Sequence, residues 1–201
     1  MTDNGLLAAG IVGAAVFVVT FLIDGATRPG YRPRYHPVSA LALGSRGWIQ
    51  TTNFVVCGAL ITTAAVGIHR AGLNSLLAAT VAIFGLSLVA SGIFPMDPMR
   101  GYPQGTPADT PTTTTRRHQL HDGAGVAVFT SLPVAAGIAA LTLNSTGWAI
   151  YSALTAIAAA GAFVAFGTAW EHDHPLTGLV QRAAIAVGWT WLATTCWHIA
   201  T

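Results

Sequence analysis

The segment Arg116-Arg117-His118-Gln119-Leu120-His121-Asp122 sets three ionisable side chains at positions i, i+3 and i+4. On a helix they share one face, so two imidazoles and a carboxylate converge. Such a group suits a metal ion, a His–Asp proton relay or an oriented general acid. The plainer alternative is a helix start at the water interface, with Asp122 facing free backbone N–H groups. Upstream, Ile93-Phe94-Pro95-Met96-Asp97-Pro98 brackets an aspartate between two prolines, which end a helix and hold the carboxyl at its boundary. One expectation is that Asp97 points inward, where desolvation raises its pKa and keeps it a neutral acid near pH 7. The other is that it caps a turn or pairs with a loop arginine.

Further polar residues gather around these. Arg182 lies inside an apolar run, where a charge needs a partner, and Asp97 or Asp122 are the expected ones. Tyr35 to Gly44, containing His36 and Ser39, is too apolar for a solvated loop and too short to span a membrane, so it is expected to lie at the interface or dip inward as a lid. Trp48, Gln50 and Asn53 follow, with 50 and 53 on one helical face, placed to orient a substrate. Glu171-His172-Asp173-His174 reads as an exposed turn rather than a ligand set.

The elements that position these residues follow from composition. Of 201 residues 53% are apolar and only 8% charged, and mean hydropathy is +0.58. A soluble domain carries about 25% charge, so this composition excludes one. Six apolar runs, at about 5–23, 47–68, 71–94, 123–143, 147–170 and 176–199, are long enough to cross a hydrocarbon core of about 30 Å. The expected fold is an all-α integral membrane six-helix bundle in one domain, 1–201. Glycines such as Gly58, Gly67, Gly85, Gly92, Gly125, Gly161 and Gly167 are expected to let helices approach closely.

All nine basic residues are arginines. Lysine imine chemistry is therefore excluded. Eight arginines fall at or near the 1–2, 3–4 and 5–6 loops, and only Arg70 lies on the other side. The positive-inside rule places those loops in the cytoplasm and both termini outside, in a bacterial cytoplasmic membrane. Nearly all other ionisable groups share the arginine side, so the expected pocket faces the cytoplasm. The expected partners are the bilayer and a lipophilic small molecule, with no nucleic acid.

The His-Pro-x-Ser segment at 36–39, the Gly-Ile-Phe-Pro-x-Asp ending at 92–97 and the histidine-led fourth helix together resemble the prokaryotic membrane family catalogued as domain of unknown function 998. That likeness implies no activity. In size, helix count and Ala/Gly-rich composition the chain is also similar to small actinobacterial membrane terpene cyclases. Their likeness implies cofactor-free, proton-initiated cyclisation of a prenylated substrate. Asp97 or Asp122 would be the acid and His118 or His121 the orienting partner or base. Trp48, Phe94, Tyr102 and Trp170 would be an aromatic wall that stabilises carbocations. A second likeness, to the membrane hydrolases of the alkaline ceramidase type, implies a zinc held by His118, His121 and Asp97, with Ser39 nearby. The chain lacks the His-x-x-x-His pair those proteins carry in their last helix. A non-enzymatic transporter or assembly protein is the third class.

Overall fold

The computed structural model describes residues 3–201, which form six long helices and no strand among the described residues. These are α1 (Asp3–Thr27), α2 (Gly47–Arg70), α3 (Ser75–Ile93), α4 (Arg116–Thr142), α5 (Thr146–Glu171) and α6 (Thr177–Ala200). The first five are long and apolar enough to cross a membrane. Helix α6 matches them in length but carries Gln181, Arg182, His198 and several threonines, which lower its hydropathy. The fourth helix starts seven residues before the expected 123, because Thr115 caps it and brings the whole histidine segment into the helix.

Each helix packs on the next, and α6 returns to α1, closing a ring. The closest approach is between α2 and α3. A Cβ on Gly85 would lie 2.5 Å from the Thr62 hydroxyl and 2.7 Å from the Gly58 carbonyl oxygen. Backbone cannot move aside as a side chain can, so Gly85→Ala is expected to cost about 1–3 kcal/mol through overpacking. A lowered melting temperature in detergent would show this, and an unchanged one would refute the close contact. Gly58, Gly67 and Gly92 share this role, as expected. Gly125, Gly161 and Gly167 do not, since nothing lies within 4 Å of a Cβ at any of them. In α4 and α5 glycine leaves open space instead of admitting a neighbour.

At one end of the ring the 1–2, 3–4 and 5–6 loops are knitted together by arginine. Buried Arg28 pairs with buried Asp24 and donates to the carbonyls of Leu41 (3.0 Å), Leu43 (3.1 Å) and Arg46 (2.9 Å). Arg46 supplies Asp24 with a second partner at 2.7 Å. Arg100 donates to the Trp170 carbonyl at 2.5 Å and stacks 3.7 Å over that ring. Arg182 donates to the carbonyls of Pro33 (2.5 Å), Gly178 (2.9 Å) and His36 (3.2 Å) and to the Tyr31 hydroxyl (2.5 Å). Its expected pairing with Asp97 or Asp122 does not occur, because loop carbonyls turned toward it already satisfy the guanidinium. The start of α1 and the end of α6 lie at the opposite end, where Asp3 approaches Arg70 at 3.9 Å and His198 stacks on Trp148 at 4.2 Å.

His36 belongs to this loop network rather than to a substrate site. Its Nδ1 accepts from the Arg32 N–H at 2.9 Å, and its Nε2–H donates to the Arg100 carbonyl at 3.1 Å. Burial, reinforced by the charges of Arg32, Arg100 and Arg182, holds its pKa below the usual value, although the Arg100 carbonyl pulls the other way. A depressed folded pKa means the unfolded chain takes up the proton first. His36 therefore stabilises the fold above about pH 6.5, and that stability is lost as pH falls through the folded value. The melting temperature is expected to fall with acidification below that pH. His36→Phe should melt lower at pH 8 but with a flatter dependence between pH 7 and 5.

Candidate functional site

Inside the ring, beneath the loop network, lies a cavity of about 270 Å³ lined by residues from all six helices. The turn Val38–Ala42 roofs it, with Pro37, Val38 and Ser39 in its lining, so the apolar 1–2 segment does dip inward as a lid. Seven aromatic side chains line it: Phe17, Phe54, Phe129, Phe163, Phe166, Trp170 and Trp189. Their spacing explains their convergence. Phe163, Phe166 and Trp170 recur at i, i+3 and i+7 on α5, and Gln181, Ile185 and Trp189 at i, i+4 and i+8 on α6.

The wall is buried on α1, α2, α3 and α6, mixed on α4, where His118, His121 and Val128 are buried but Asp122 (62% exposed) and Val126 (54%) are not, and only half-buried on α5. Phe129 stacks on Phe163 at 5.6 Å and joins α4 to α5. Toward the loop end Gly125 and Gly167 present no side chain across the gap. The least buried part of the lining is thus on α4 and α5.

His118, His121 and Asp122 all line it, as their helical spacing requires. The hydrogen bonds assign each ring nitrogen. His121 Nδ1–H donates to the Phe94 carbonyl at 2.8 Å and the Ser91 carbonyl at 3.3 Å, at the free end of α3. The neutral ring then has its lone pair on Nε2, which has no hydrogen-bond partner among the described residues, on a side chain that lines the cavity. His118 is the reverse: Nδ1 accepts from the Asp97 N–H at 3.0 Å, and Nε2 lies 3.2 Å from the Asp122 carboxylate, to which it donates. Gln181 is likewise fixed, because its Oε1 accepts from the Val38 N–H at 2.7 Å and leaves Nε2–H to the cavity.

Asp97 is not the desolvated neutral acid expected from its prolines. Its carboxylate, half-buried, accepts from the Thr115 N–H (2.7 Å) and hydroxyl (2.6 Å) at the start of α4. Burial alone would raise its pKa, but the two bonds from Thr115 and the nearby His118 hold it below the usual carboxylate value. The prolines turn the side chain toward Thr115, so the cap alternative describes it, and its backbone N–H positions His118. Depression of this pKa adds stability above about pH 4 that is lost as pH falls through the folded value.

Other expected substrate contacts are also redirected. Ser39 and Trp170 line the cavity; Trp48, Gln50, Asn53, Phe94, Tyr102, Arg182 and His36 do not. Trp48 is 67% exposed on the outside of α2. Asn53 donates to the Phe17 carbonyl at 3.1 Å and to Gln50 Oε1 at 3.3 Å, joining α2 to α1. Phe94 contributes its carbonyl to His121, and Tyr102 packs its hydroxyl against Arg28 at 3.4 Å. As for the zinc alternative, no group of three or more His, Cys, Asp or Glu among the described residues is arranged to hold a metal. His118, His121 and Asp97 fail as a set because backbone, Asp122 and Thr115 engage all their coordinating atoms except His121 Nε2.

A family model described as a protein of unknown function (DUF998) matches residues 11–198. No curated protein and no solved structure matches the chain.

Proposed function

The chain belongs to the DUF998 family, and, since membership assigns no chemistry, we propose from the cavity that it is a membrane-embedded enzyme performing proton-initiated cyclisation of a lipophilic, prenyl-type substrate. The single observation that carries this is an aromatic cavity with a His–Asp pair and a second, separately oriented histidine at one end. All six helices cross the membrane in this reading. Helix α6 closes the ring between α1 and α5 and has the length of the others. The arginine-rich loop end faces the cytoplasm and the termini face outward.

Substrate enters from the bilayer between α4 and α5, where Gly125 and Gly167 leave a gap. Asp122, at the exposed lip and held by His118, carries the proton and delivers it to an alkene or epoxide. The carbocation closes a ring against aromatic faces, which stabilise positive charge without reacting. His121 Nε2 removes the final proton, so the product is an isomer of the substrate. Protons exchange with water at the lip, and no metal or organic cofactor is needed.

Variants test the assignment. Asp122→Asn and His121→Asn are each expected to reduce turnover at least about a hundredfold. His121→Asn can still donate to the Phe94 carbonyl, so the helix contact is kept. Asp97→Asn should retain most activity with a lower melting temperature. Full activity in His121→Asn, or none in a folded Asp97→Asn, would refute these roles.

A further inference from the structure

The polar end of the cavity constrains the ligand's own polar group. Farther along α6 the buried Trp189 Nε1–H has no partner among the described residues, and at the polar end His121 Nε2 offers a lone pair and Gln181 Nε2 an N–H. The His121 and Gln181 side chains are more than nine-tenths buried and each is locked by a backbone bond on its other polar atom. They therefore cannot exchange roles to suit a different ligand. A buried acceptor and a buried donor left unpaired each cost free energy, so a ligand offering one complementary O–H and one oxygen lone pair is favoured.

Charge narrows this further. No arginine lines the cavity, and the chain has no lysine. The cations nearest the loop end, buried Arg28 and Arg100 and half-buried Arg182, are turned onto backbone carbonyls and their own partners. A phosphate, diphosphate or carboxylate would be desolvated here with no counter-charge. We propose that the site accepts a lipophilic alcohol: its hydroxyl donates to His121 Nε2 and accepts from Gln181 Nε2–H, its apolar body lies along the aromatic wall, and the final proton reaches His121 through that hydroxyl, which gives up its own hydrogen as it takes one. The prenyl character of that body and the path of the final proton rest on the cyclase reading; the neutral hydroxyl end does not.

Equilibrium binding to the detergent-purified full chain tests this without requiring turnover. Farnesol, farnesyl methyl ether, farnesene and farnesyl diphosphate would each be titrated, following quenching of tryptophan fluorescence. Farnesol is expected to bind about tenfold tighter than the ether, which has no proton to donate, and tighter still than the hydrocarbon. The diphosphate should bind more weakly than farnesol. His121→Asn should erase the preference for alcohol over ether while leaving hydrocarbon binding unchanged. Equal affinities for alcohol, ether and hydrocarbon in the wild-type chain, or tightest binding by the diphosphate, would overturn the inference. Alcohol preference without any cyclised product would uphold it and overturn the cyclase reading alone.

Discussion

Arg28→Ala is expected to destabilise the protein by about 3–5 kcal/mol, enough to remove most folded material from a detergent extract. The reason is the state of Asp24. Its side chain is 3% exposed, and without Arg28 the only charge left beside it is Arg46, itself 38% exposed. The carbonyls of Leu41 and Leu43 would lose their Arg28 donor in the same step, and that of Arg46 would keep only the Ile49 N–H. Arg28→Lys should rescue little, because a single ammonium cannot reach carboxylate and carbonyls arrayed around a planar fork. Asp24→Leu combined with Arg28→Met should recover a large part of the loss by removing both buried charges together. Size-exclusion profiles and thermal melts of the three variants decide the matter. Wild-type melting in Arg28→Ala would mean that the loop network does not hold the end of the ring.

The second large effect concerns function and leaves stability intact. A Cβ on Gly125 or Gly167 meets nothing within 4 Å, and both residues line the cavity. Leucine at either position would project into space that a ligand needs. Replacing a helical glycine also adds about 0.5–1 kcal/mol of helix stability. Gly167→Leu is thus expected to melt no lower than the parent while losing ligand binding by about a hundredfold or more. Gly161→Leu, equally unobstructed but outside the lining, is the control and should bind normally. Normal binding in Gly167→Leu and Gly125→Leu would place the ligand elsewhere.

Much of this arrangement is readable from residue order, and the exceptions have physical causes. Long uncharged runs report helices directly, because a lipid-facing helix must be apolar all round. Five of the expected spans pass the same test in the structure, while the polar face of α6 hides it there. The i, i+3, i+4 pattern at His118, His121 and Asp122 places them together because it depends only on helical geometry. What a local pattern does not carry is the identity of a partner across the fold. Arg182 looks like a charge in search of a carboxylate, yet backbone carbonyls and the Tyr31 hydroxyl take its donors, whereas Arg28 and Arg100 do reach Asp24 and Asp173. Asp97 between its prolines looks desolvated, yet the start of α4 returns beside it and ionises it. Glycine is ambiguous for the same reason: Gly85 and Gly167 differ only in what stands opposite.

The aromatic wall is a middle case. Phe163, Phe166 and Trp170 lie at helical spacing on α5, as do Gln181, Ile185 and Trp189 on α6, so each stripe is visible in sequence. That the two stripes face one cavity depends on the ring closing through α6 and α1, which no single span reveals. Among the described residues α5 has only three buried positions, Ser152, Thr155 and Ala159. Side-chain hydrogen bonds from Trp191 to Ser152 and between Tyr151 and Thr194, together with the Phe129 stack, hold this sparsely buried helix against α6 and α4.

The central claim is met most directly by product analysis. Purified wild-type protein in lipid nanodiscs would be incubated with epoxidised and plain prenylated substrates, and the products separated and weighed by mass spectrometry. A new species of unchanged mass with fewer double bonds or an opened epoxide, absent in Asp122→Asn, is the result expected. Recovery of the starting material alone, from a protein that binds these substrates, would contradict cyclisation at this site.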